Sequence, residues 1–140
     1  MRKRSFEEIQ IGEKMSFSKT ITEADIFAFA GITGDFNPLH VDAEFAKGTL
    51  FKQRVAHGML TAGLIDNTLT AIGGLGTIHL SQTLRFTAPV LIGDTVTVVS
   101  EVASKNAEKN RLTVKSTVTN QGGKVVIEGE ALLQLPKTAC

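Results

Sequence analysis

A carboxylate and an imidazole lie close together in the segment Gly34-Asp35-Phe36-Asn37-Pro38-Leu39-His40. Pro38 fixes its own φ angle and pushes Asn37 toward an extended conformation, so this segment cannot be one continuous helix. A rigid bend of this kind can direct Asp35 and His40 into one cavity. Reversible addition of water to a double bond needs proton transfer at oxygen and at the adjacent carbon, and histidine titrates near neutrality. The two side chains together could hold one water and pass protons in either direction.

The same spacing also has a simpler interpretation. Asp35 could cap the end of a helix, and His40 could be a surface residue with no chemical role. The spacing alone favours this simpler interpretation, because short Asp and His spacings are common in sequences of every kind. A catalytic role for the pair therefore needs support from other parts of the chain.

A second candidate is Ala56-His57-Gly58-Met59, at the predicted start of an apolar helix. The first N–H groups of a helix have no intrahelical acceptor and lie at the positive end of its dipole. Glycine there lets a substrate approach the backbone, so the Gly58 N–H could stabilise negative charge developing on a carbonyl oxygen. Equally, Gly58 could serve only for tight packing against a sheet. We expect His57 to be a hydrogen-bonded residue that shapes the helix start.

Three histidines raise the question of a metal site. His40, His57 and His79 lack a short ligand spacing such as HExxH, and no cysteine lies near them. Zinc sites in proteins normally show such spacings. We therefore expect no metal, and we expect His79 to be an ordinary outward-facing residue of a strand.

The first half of the chain carries helical signals. A short strand is expected over residues 15–20, and Thr22 is a good N-cap because Asp25 follows three residues later. Gly31 and Gly34 are both possible stops for this first helix. A second short helix is expected between Asp42 and Gly48.

Residues 57–72 predict one helix that is apolar over most of its surface, and such a helix is buried on most sides. Asp66 and Asn67 are the exceptions, and we expect them to face solvent or a subunit interface. The run Gly73-Gly74-Leu75-Gly76 then indicates a turn from helix to strand, since it lacks the strand before and the helix after that a phosphate-binding loop requires.

Residues 76–135 alternate with a period of two, which predicts four strands separated by turns. Short turns indicate an antiparallel meander with one dry face. Wrapping this sheet around the apolar helix buries both elements at once. The predicted fold class is α+β, with a curved antiparallel sheet wrapped around a central helix. The apolar side chains expected on the dry face are Ile78, Leu80, Leu84, Phe86, Val96, Val98, Val102, Leu112, Val114, Val118, Val125, Ile127, Ala131, Leu133 and Leu135.

The composition narrows the function classes. The chain has 140 residues, the usual size of one domain, and a formal charge of +1, so charge does not imply nucleic acid. No apolar run approaches the roughly 20 residues that span a bilayer. The basic start is followed by Ser5-Phe6-Glu7-Glu8, where a secretory segment needs an apolar stretch. The single cysteine, Cys140, cannot form an intrachain disulfide and has no evident base beside it. We expect a cytoplasmic protein that binds neither membranes nor nucleic acid.

At these motifs the sequence resembles the MaoC-like (R)-specific enoyl-CoA hydratases, also called hydratase 2, which have the hotdog fold. The resemblance extends over nearly the whole chain, and several ordered motifs are far more specific than one Asp and His pair. The matching motifs are Thr22-Glu23-Ala24-Asp25, Gly34 to His40 as given above, Ala56-His57-Gly58-Met59-Leu60, Leu84-Arg85-Phe86-Thr87-Ala88-Pro89-Val90 and Gly93-Asp94-Thr95-Val96.

The resemblance implies a hydro-lyase that adds water reversibly to an enoyl thioester. It implies that Asp35 and His40 bind and activate the water, that the Gly58 amide forms the oxyanion hole, and that Asn37 supports the geometry of Asp35. No cofactor is implied, since coenzyme A is part of the substrate. The partners implied are an acyl-CoA or acyl-carrier-protein thioester and a second copy of the chain, as a homodimer or a higher homo-oligomer. Residues 1–140 correspond to a single hotdog domain.

Two other functions stay open at this stage. Hotdog proteins include thioesterases, which direct water at the thioester carbonyl, and a non-catalytic acyl-thioester-binding subunit is the alternative from another class. The pairing of Asp35 with His40 favours hydration through the resemblance only. The sequence leaves the carrier, the physiological direction and the separate proton-transfer roles undecided. We expect acyl chains of short to medium length.

Overall fold

Helices and loops make up the first half of the chain, and strands make up most of the second. A computed structural model describes residues 1–137, so Cys140 and the expectation about its thiol lie outside the described residues. None of the helices in residues 1–137 combines the length and the apolar character needed to cross a bilayer. The elements are β1 (Lys14–Thr20), α1 (Glu23–Thr33), α2 (Pro38–Val41), α3 (Ala43–Lys47), α4 (Gly58–Gly63), α5 (Ile65–Gly73), β2 (Ile78–Phe86), β3 (Thr95–Asn106), β4 (Arg111–Thr119) and β5 (Val125–Gln134).

The five strands form one antiparallel sheet in the order β1-β3-β4-β5-β2. The curved antiparallel sheet with its helix confirms the predicted fold class. The predicted meander is correct for β3, β4 and β5 but wrong for β2, which pairs with β5 at the far edge. Tight turns join β3 to β4 and β4 to β5, whereas residues 87–94 form a longer connection across the sheet. This connection is hydrogen-bonded to the segment before α4, since the Val90 carbonyl accepts the Ala56 N–H at 2.8 Å.

The dry face of β3 and β4 is confirmed, and it contains two buried serines among the valines. Ser100 and Ser116 are joined by a 2.6 Å hydrogen bond, and Ser100 is joined to Thr68 of α5 by a bond of 2.7 Å. The Thr68 hydroxyl also donates to the Ile65 carbonyl at 2.7 Å. Burying a hydroxyl is costly unless it is hydrogen-bonded, and this chain of bonds removes most of that cost.

The predicted helix over residues 57–72 is divided into α4 and α5 at Leu64. The Leu64 backbone stays helical (φ −66°, ψ −21°), but its N–H bonds the Thr61 carbonyl three residues back, which tightens the helix locally. Burial on most sides is also wrong. Helix α5 presents one buried face to β1 and β3, while Met59 of α4 is 55% exposed. Asp66 is exposed, as expected for a side that the sheet does not cover.

Helix α1 begins where the sequence predicted and ends at the second of its two possible stops. The Thr22 hydroxyl accepts the Asp25 N–H, and the Asp25 carboxylate accepts the Thr22 N–H, which completes a capping box. Gly34 closes the helix in the left-handed conformation (φ 79°). The stop at Gly31 is wrong, because Gly31 keeps a helical backbone and lies inside α1. The short helix α3 is confirmed, with Asp42 as its N-cap and Gly48 as its C-cap.

Strand β2 is an edge strand whose expected dry face is largely uncovered. Ile78, Leu80 and Phe86 are 56%, 42% and 52% exposed. The register with β5 shifts between His79 and Ser81, so alternation is interrupted near the start of the strand. Leu84 packs against the core and Phe86 lies against Gly58 of α4, whereas Ile78, Leu80 and half of Phe86 stay uncovered within residues 1–137.

The N-terminal segment closes the end of α5 through Arg4, whose side chain is only 10% exposed. Its guanidinium donates to the Ile72 carbonyl at 3.0 Å and pairs with Glu13 at 2.7 Å and Glu8 at 3.3 Å. Carbonyls in the last turn of a helix have no intrahelical donor, so Arg4 supplies one. The segment before β1 is thereby fixed against the helix pair that adjoins the candidate site.

The charge of Glu8 predicts a pH-dependent contribution to stability. Hydrogen bonds from Arg2, the Ser5 amide and Arg4 lower the pKa of Glu8 from 4.5 to about 2. A carboxyl with a lowered pKa stabilises the folded state above its ordinary pKa and loses that effect as pH falls toward 2. Glu8→Gln should therefore lower the melting temperature at pH 7, and its difference from wild type should shrink between pH 4.5 and pH 2.

Thermal unfolding followed by circular dichroism across that pH range checks this expectation. Glu7→Gln is the neighbouring control, because Glu7 is exposed and carries the same charge. A difference between Glu8→Gln and wild type that stays constant down to pH 2 would contradict the assigned ionic role.

Candidate active site

Asp35 stands at the exit from α1, where the chain leaves Gly34. Its N–H donates to the Thr33 hydroxyl at 3.2 Å, and its carboxylate accepts the Asn37 N–H at 3.1 Å. The side chain is exposed, and it lines a cavity beside the helix. The local bonds fix a carboxylate that remains open on the cavity side.

Asn37 acts through its backbone amide toward Asp35 and through its side chain toward the next turn. Its Oδ1 accepts the Leu39 N–H at 3.1 Å and caps α2, in which Pro38 is the first residue. The expected interruption of the helix between Gly34 and Pro38 is confirmed. The short helix that follows, which contains His40, was not expected from the sequence.

His40 is 8% exposed and is held by a backbone carbonyl of the segment before α4. Its Nδ1 lies 2.7 Å from the Val55 carbonyl oxygen. A carbonyl oxygen only accepts, so Nδ1 carries the proton and Nε2 presents its lone pair. The surroundings of His40 therefore select the form of the neutral imidazole that can act as a base through Nε2.

His57 is 2% exposed and lies against His40, with ring centroids 4.0 Å apart and ring planes inclined by 29°. Its Nε2 donates to the Asp35 carbonyl oxygen at 2.9 Å, while its Nδ1 has no hydrogen-bond partner within residues 1–137. Phe29 of α1 covers the ring at a centroid distance of 4.8 Å. His57 therefore ties the Asp35 backbone to the start of α4, where it is the N-cap residue without a side-chain cap bond.

Gly58 begins α4 and adjoins Phe86 at the end of β2. A Cβ atom at position 58 would lie 2.8 Å from two ring carbons of Phe86, a distance that side chains do not tolerate. The packing interpretation of this glycine is therefore supported. Gly58 also lines the cavities beside His40, so the two interpretations are compatible.

Two cavities meet at His40, Gly58 and Phe86. The larger, of about 400 Å³, is mostly apolar, and the smaller, of about 370 Å³, contains Asp35. The larger is lined by Leu39, His40, Phe51, Val55, Ala56, Gly58, Thr61, Phe86, Thr87, Ala88, Pro89, Val90 and Ile127. The smaller is lined by Phe29, Thr33, Asp35, His40, His57, Gly58, Met59 and Phe86. His40 and Gly58 thus line both cavities, and Asp35 and His57 line the smaller one.

Asp35, His40 and His57 also offer three possible metal ligands. One carboxylate oxygen and one nitrogen of each ring lie within 4.8 Å of one another. However, the lone pairs of two rings stacked face to face do not converge on a point about 2 Å from both nitrogens. One nitrogen of each ring is also engaged by a carbonyl. His79 lies elsewhere, paired with Asp66 at 3.1 Å.

The structure adds residues that the sequence reading did not name. Arg54 donates from Nε to the His40 carbonyl at 2.7 Å. Thr61 is 1% exposed, adjoins the larger cavity and has a hydroxyl with no partner among residues 1–137. Arg54 directly precedes the Val-Ala-His-Gly run, but nothing in its spacing shows that its side chain turns inward. The sequence indicates that Phe86 lies on a strand face, but it does not link Phe86 to Gly58.

Comparisons with known proteins agree with this geometry. The family described as MaoC like domain matches residues 6–123. The chain is 49% identical over 132 residues to the (R)-specific enoyl-CoA hydratase of Rhodospirillum rubrum, covering 94% of this chain and 91% of the relative. It is 45% identical over 133 residues to the 3-hydroxybutyryl-CoA dehydratase of Methylorubrum extorquens, covering 94% and 84%. The solved structure of the (R)-hydratase from A. caviae involved in PHA biosynthesis superposes with a TM-score of 0.88 at 39% identity, covering 92% and 98%.

The hydrogen bonds from the His40 and His57 rings to backbone carbonyls predict opposite tautomers for the two imidazoles. When both rings are neutral, His40 should carry its proton on Nδ1 and His57 on Nε2. Nitrogen-15 NMR of the imidazoles distinguishes a protonated from an unprotonated ring nitrogen, and the exposed His79 serves as an internal comparison. A neutral His40 with its proton on Nε2 would contradict the assignment of Nε2 as the base.

Proposed function

The chain belongs to the MaoC-like domain family, and we propose that it catalyses the reversible addition of water to a trans-2-enoyl thioester, giving the (R)-3-hydroxyacyl thioester. It is a hydro-lyase, like the hydratase and the dehydratase to which it is 49% and 45% identical. The observation that carries this proposal is the convergence of Asp35 and His40 beside Gly58 at the junction of two cavities.

The acid and base roles follow from which atoms can accept a proton. The Asp35 carboxylate and Nε2 of a neutral His40 are both acceptors, and possible ligand atoms of the two side chains lie within 4.8 Å. One water can bridge such a distance by donating one proton to each. As its oxygen bonds to the β-carbon of the enoyl group, the pair removes one proton from the water and delivers one proton to the α-carbon, so the net protonation of the pair is unchanged.

Negative charge moves to the thioester carbonyl oxygen when the β-carbon is attacked. As the first residue of α4, Gly58 has an N–H without an intrahelical acceptor, and we assign it to this oxygen. The absence of a side chain lets both Phe86 and the thioester approach the backbone. The oxyanion then forms beside the residues that exchange protons with the water and the α-carbon.

His57 and Asn37 support the pair without touching the reacting atoms in this proposal. His57 holds the Asp35 carbonyl and packs on the His40 ring, so it fixes the position of both catalytic residues. The Asn37 amide donates to the Asp35 carboxylate and limits its rotation. Both roles keep the acceptor atoms directed at one water.

The two alternatives from the sequence are not favoured. A thioesterase would release free thiol, whereas the relatives at 49% and 45% identity are a hydratase and a dehydratase. A non-catalytic binder would not need a carboxylate and an imidazole, and both are present and close together here.

For the substrate, we propose a coenzyme A thioester of short to medium acyl length and no further cofactor. The CoA carrier is supported by the names of the two relatives. The acyl length is supported by the larger cavity, whose volume of about 400 Å³ is toward the small end of the roughly 300–1,000 Å³ usual for ligand sites. A cytoplasmic location, expected from the sequence, belongs to the same proposal.

A homodimer formed through β2 completes the proposal. Strand β2 has one free edge within residues 1–137, and Ile78, Leu80 and Phe86 on it are exposed. Met59, which follows Gly58 at the start of α4, is exposed as well. Exposed apolar strand edges are normally covered by another chain or element. Pairing of two β2 edges would cover them beside the site.

Asp35→Asn and His40→Gln should each lower turnover of crotonyl-CoA by about 100-fold or more, because each removes a proton acceptor while keeping the size of the side chain. The assay follows loss of the conjugated enoyl absorbance, with free thiol monitored in parallel. Hydration gives loss of absorbance without thiol and yields the (R)-3-hydroxy product.

Asp42→Asn is a suitable control, since Asp42 caps α3 close to the site without lining either cavity. Activity like that of wild type in either catalytic variant would remove the assignment of the pair. Release of thiol by the wild-type protein would identify a thioesterase instead.

Leu80→Lys should shift the protein from dimer to monomer, because a buried charge in the paired edges would be costly. Ile11→Lys is the matched control, since Ile11 is 64% exposed before β1, the opposite edge of the sheet. Size-exclusion chromatography with light scattering gives the mass of each variant. A wild-type monomer, or a Leu80→Lys variant that stays dimeric, would count against this interface.

A further inference from the structure

Arg54 links two parts of the site through the two sides of its guanidinium group. Nε donates to the His40 carbonyl oxygen at 2.7 Å, and Nη1 pairs with a carboxylate oxygen of Glu23 at 2.5 Å. The Arg54 side chain is 14% exposed, and its guanidinium lies 5.5 Å from the centre of the Phe27 ring. Arg54 therefore joins the His40 backbone to the Glu23 side chain through two different guanidinium nitrogens.

The segment Arg54-Val55 holds His40 by its backbone as well as by its ring. The Val55 carbonyl oxygen accepts a hydrogen bond from His40 Nδ1–H at 2.7 Å, while Arg54 Nε donates to the His40 carbonyl. The Val55 N–H also approaches the Leu39 carbonyl at 3.4 Å. With ring and carbonyl both fixed, the direction of Nε2 depends on where residues 54 and 55 are placed.

Glu23 connects this segment to the helix that presents Asp35. It is the first residue of α1, and the same helix ends at Thr33, just before Gly34 and Asp35. Phe27, which the guanidinium approaches, also belongs to α1. Because a helix transmits position along its length as a rigid element, an anchor at Glu23 constrains the end that leads to Asp35.

We propose that Glu23 and Arg54 are a positioning pair that sets the separation and orientation of His40 relative to Asp35. This inference rests on the proposed function, in which those two residues share one water. Arginine suits the task because its planar group offers donors in fixed directions, whereas lysine has one flexible ammonium group. Glu23 is 57% exposed, so the pair contributes little to global stability, and its effect is expected in catalysis.

The experiment compares Arg54→Gln, Arg54→Lys and Glu23→Gln with wild type in the crotonyl-CoA assay. Misplacement of a catalytic group by about 1 Å costs up to about 100-fold in rate, so kcat should fall by about 10- to 100-fold in both Arg54 variants, with KM near the wild-type value. Glu23→Gln should show a smaller loss. The double variant Glu23→Gln/Arg54→Gln should lose less than the product of the single losses, since both act through one contact.

Arg4→Gln is the matched control because Arg4 has the same kind of surroundings away from the site. Its side chain is 10% exposed, donates to the Ile72 carbonyl and pairs with Glu13. Arg4→Gln should lose stability while keeping kcat near wild type. All variants are assayed well below their melting temperatures, so that unfolded protein does not mimic a loss of kcat.

A second measurement follows the nitrogen-15 signals of the His40 ring, which Arg54→Gln should shift and Arg4→Gln should leave in place. Wild-type kcat in folded Arg54→Gln, full kcat in Arg54→Lys, or an equal loss in Arg4→Gln would overturn the positioning role. If the wild-type protein hydrates no enoyl thioester, the proposed function fails, and the pair is then judged by the His40 signal alone. An unchanged His40 signal in Arg54→Gln would reject it.

Discussion

The hydrogen bond between the His40 imidazole and the Val55 carbonyl determines which ring nitrogen faces the cavity. With Nδ1 occupied, Nε2 presents a lone pair toward the space that Asp35 shares. His57 repeats the arrangement with the opposite nitrogen, since its Nε2 holds the Asp35 carbonyl. Two stacked rings are thus oriented by two carbonyls, and these hydrogen bonds fix the carboxylate, the imidazole and the start of α4 relative to one another.

The sheet is buried on the face formed by β3, β4 and β5 but exposed at β2, and the site lies close to both parts. Strands β3, β4 and β5 bury a continuous apolar face, and the bonded hydroxyls of Thr68, Ser100 and Ser116 join α5 to that face. On strand β2, Ile78, Leu80 and Phe86 are largely exposed, although Phe86 lies beside Gly58. The site therefore lies between the buried face of β3, β4 and β5 and the exposed edge strand β2.

Local features and the fold class could be predicted from the sequence, whereas the position of β2 in the sheet could not. The capping box at Thr22 and the alternation in β3 depend on neighbours in the chain, and both were predicted. The partner of β2 depends on how residues 87–94 cross the sheet, which periodicity does not encode. For the site, Asp35, His40 and Gly58 could be named as candidates from their types and positions, and only the family resemblance implied their roles. The Val55 carbonyl could not, because every residue has a carbonyl and only the fold selects one.

Phe86 lines both cavities, so their volumes cannot be changed independently at this position. A smaller residue there would enlarge both spaces and also relax the contact with Gly58. Val90 and Ile127, in contrast, line only the larger space. Changes at those two aliphatic positions can thus adjust the larger cavity alone, while a change at Phe86 alters both cavities at once.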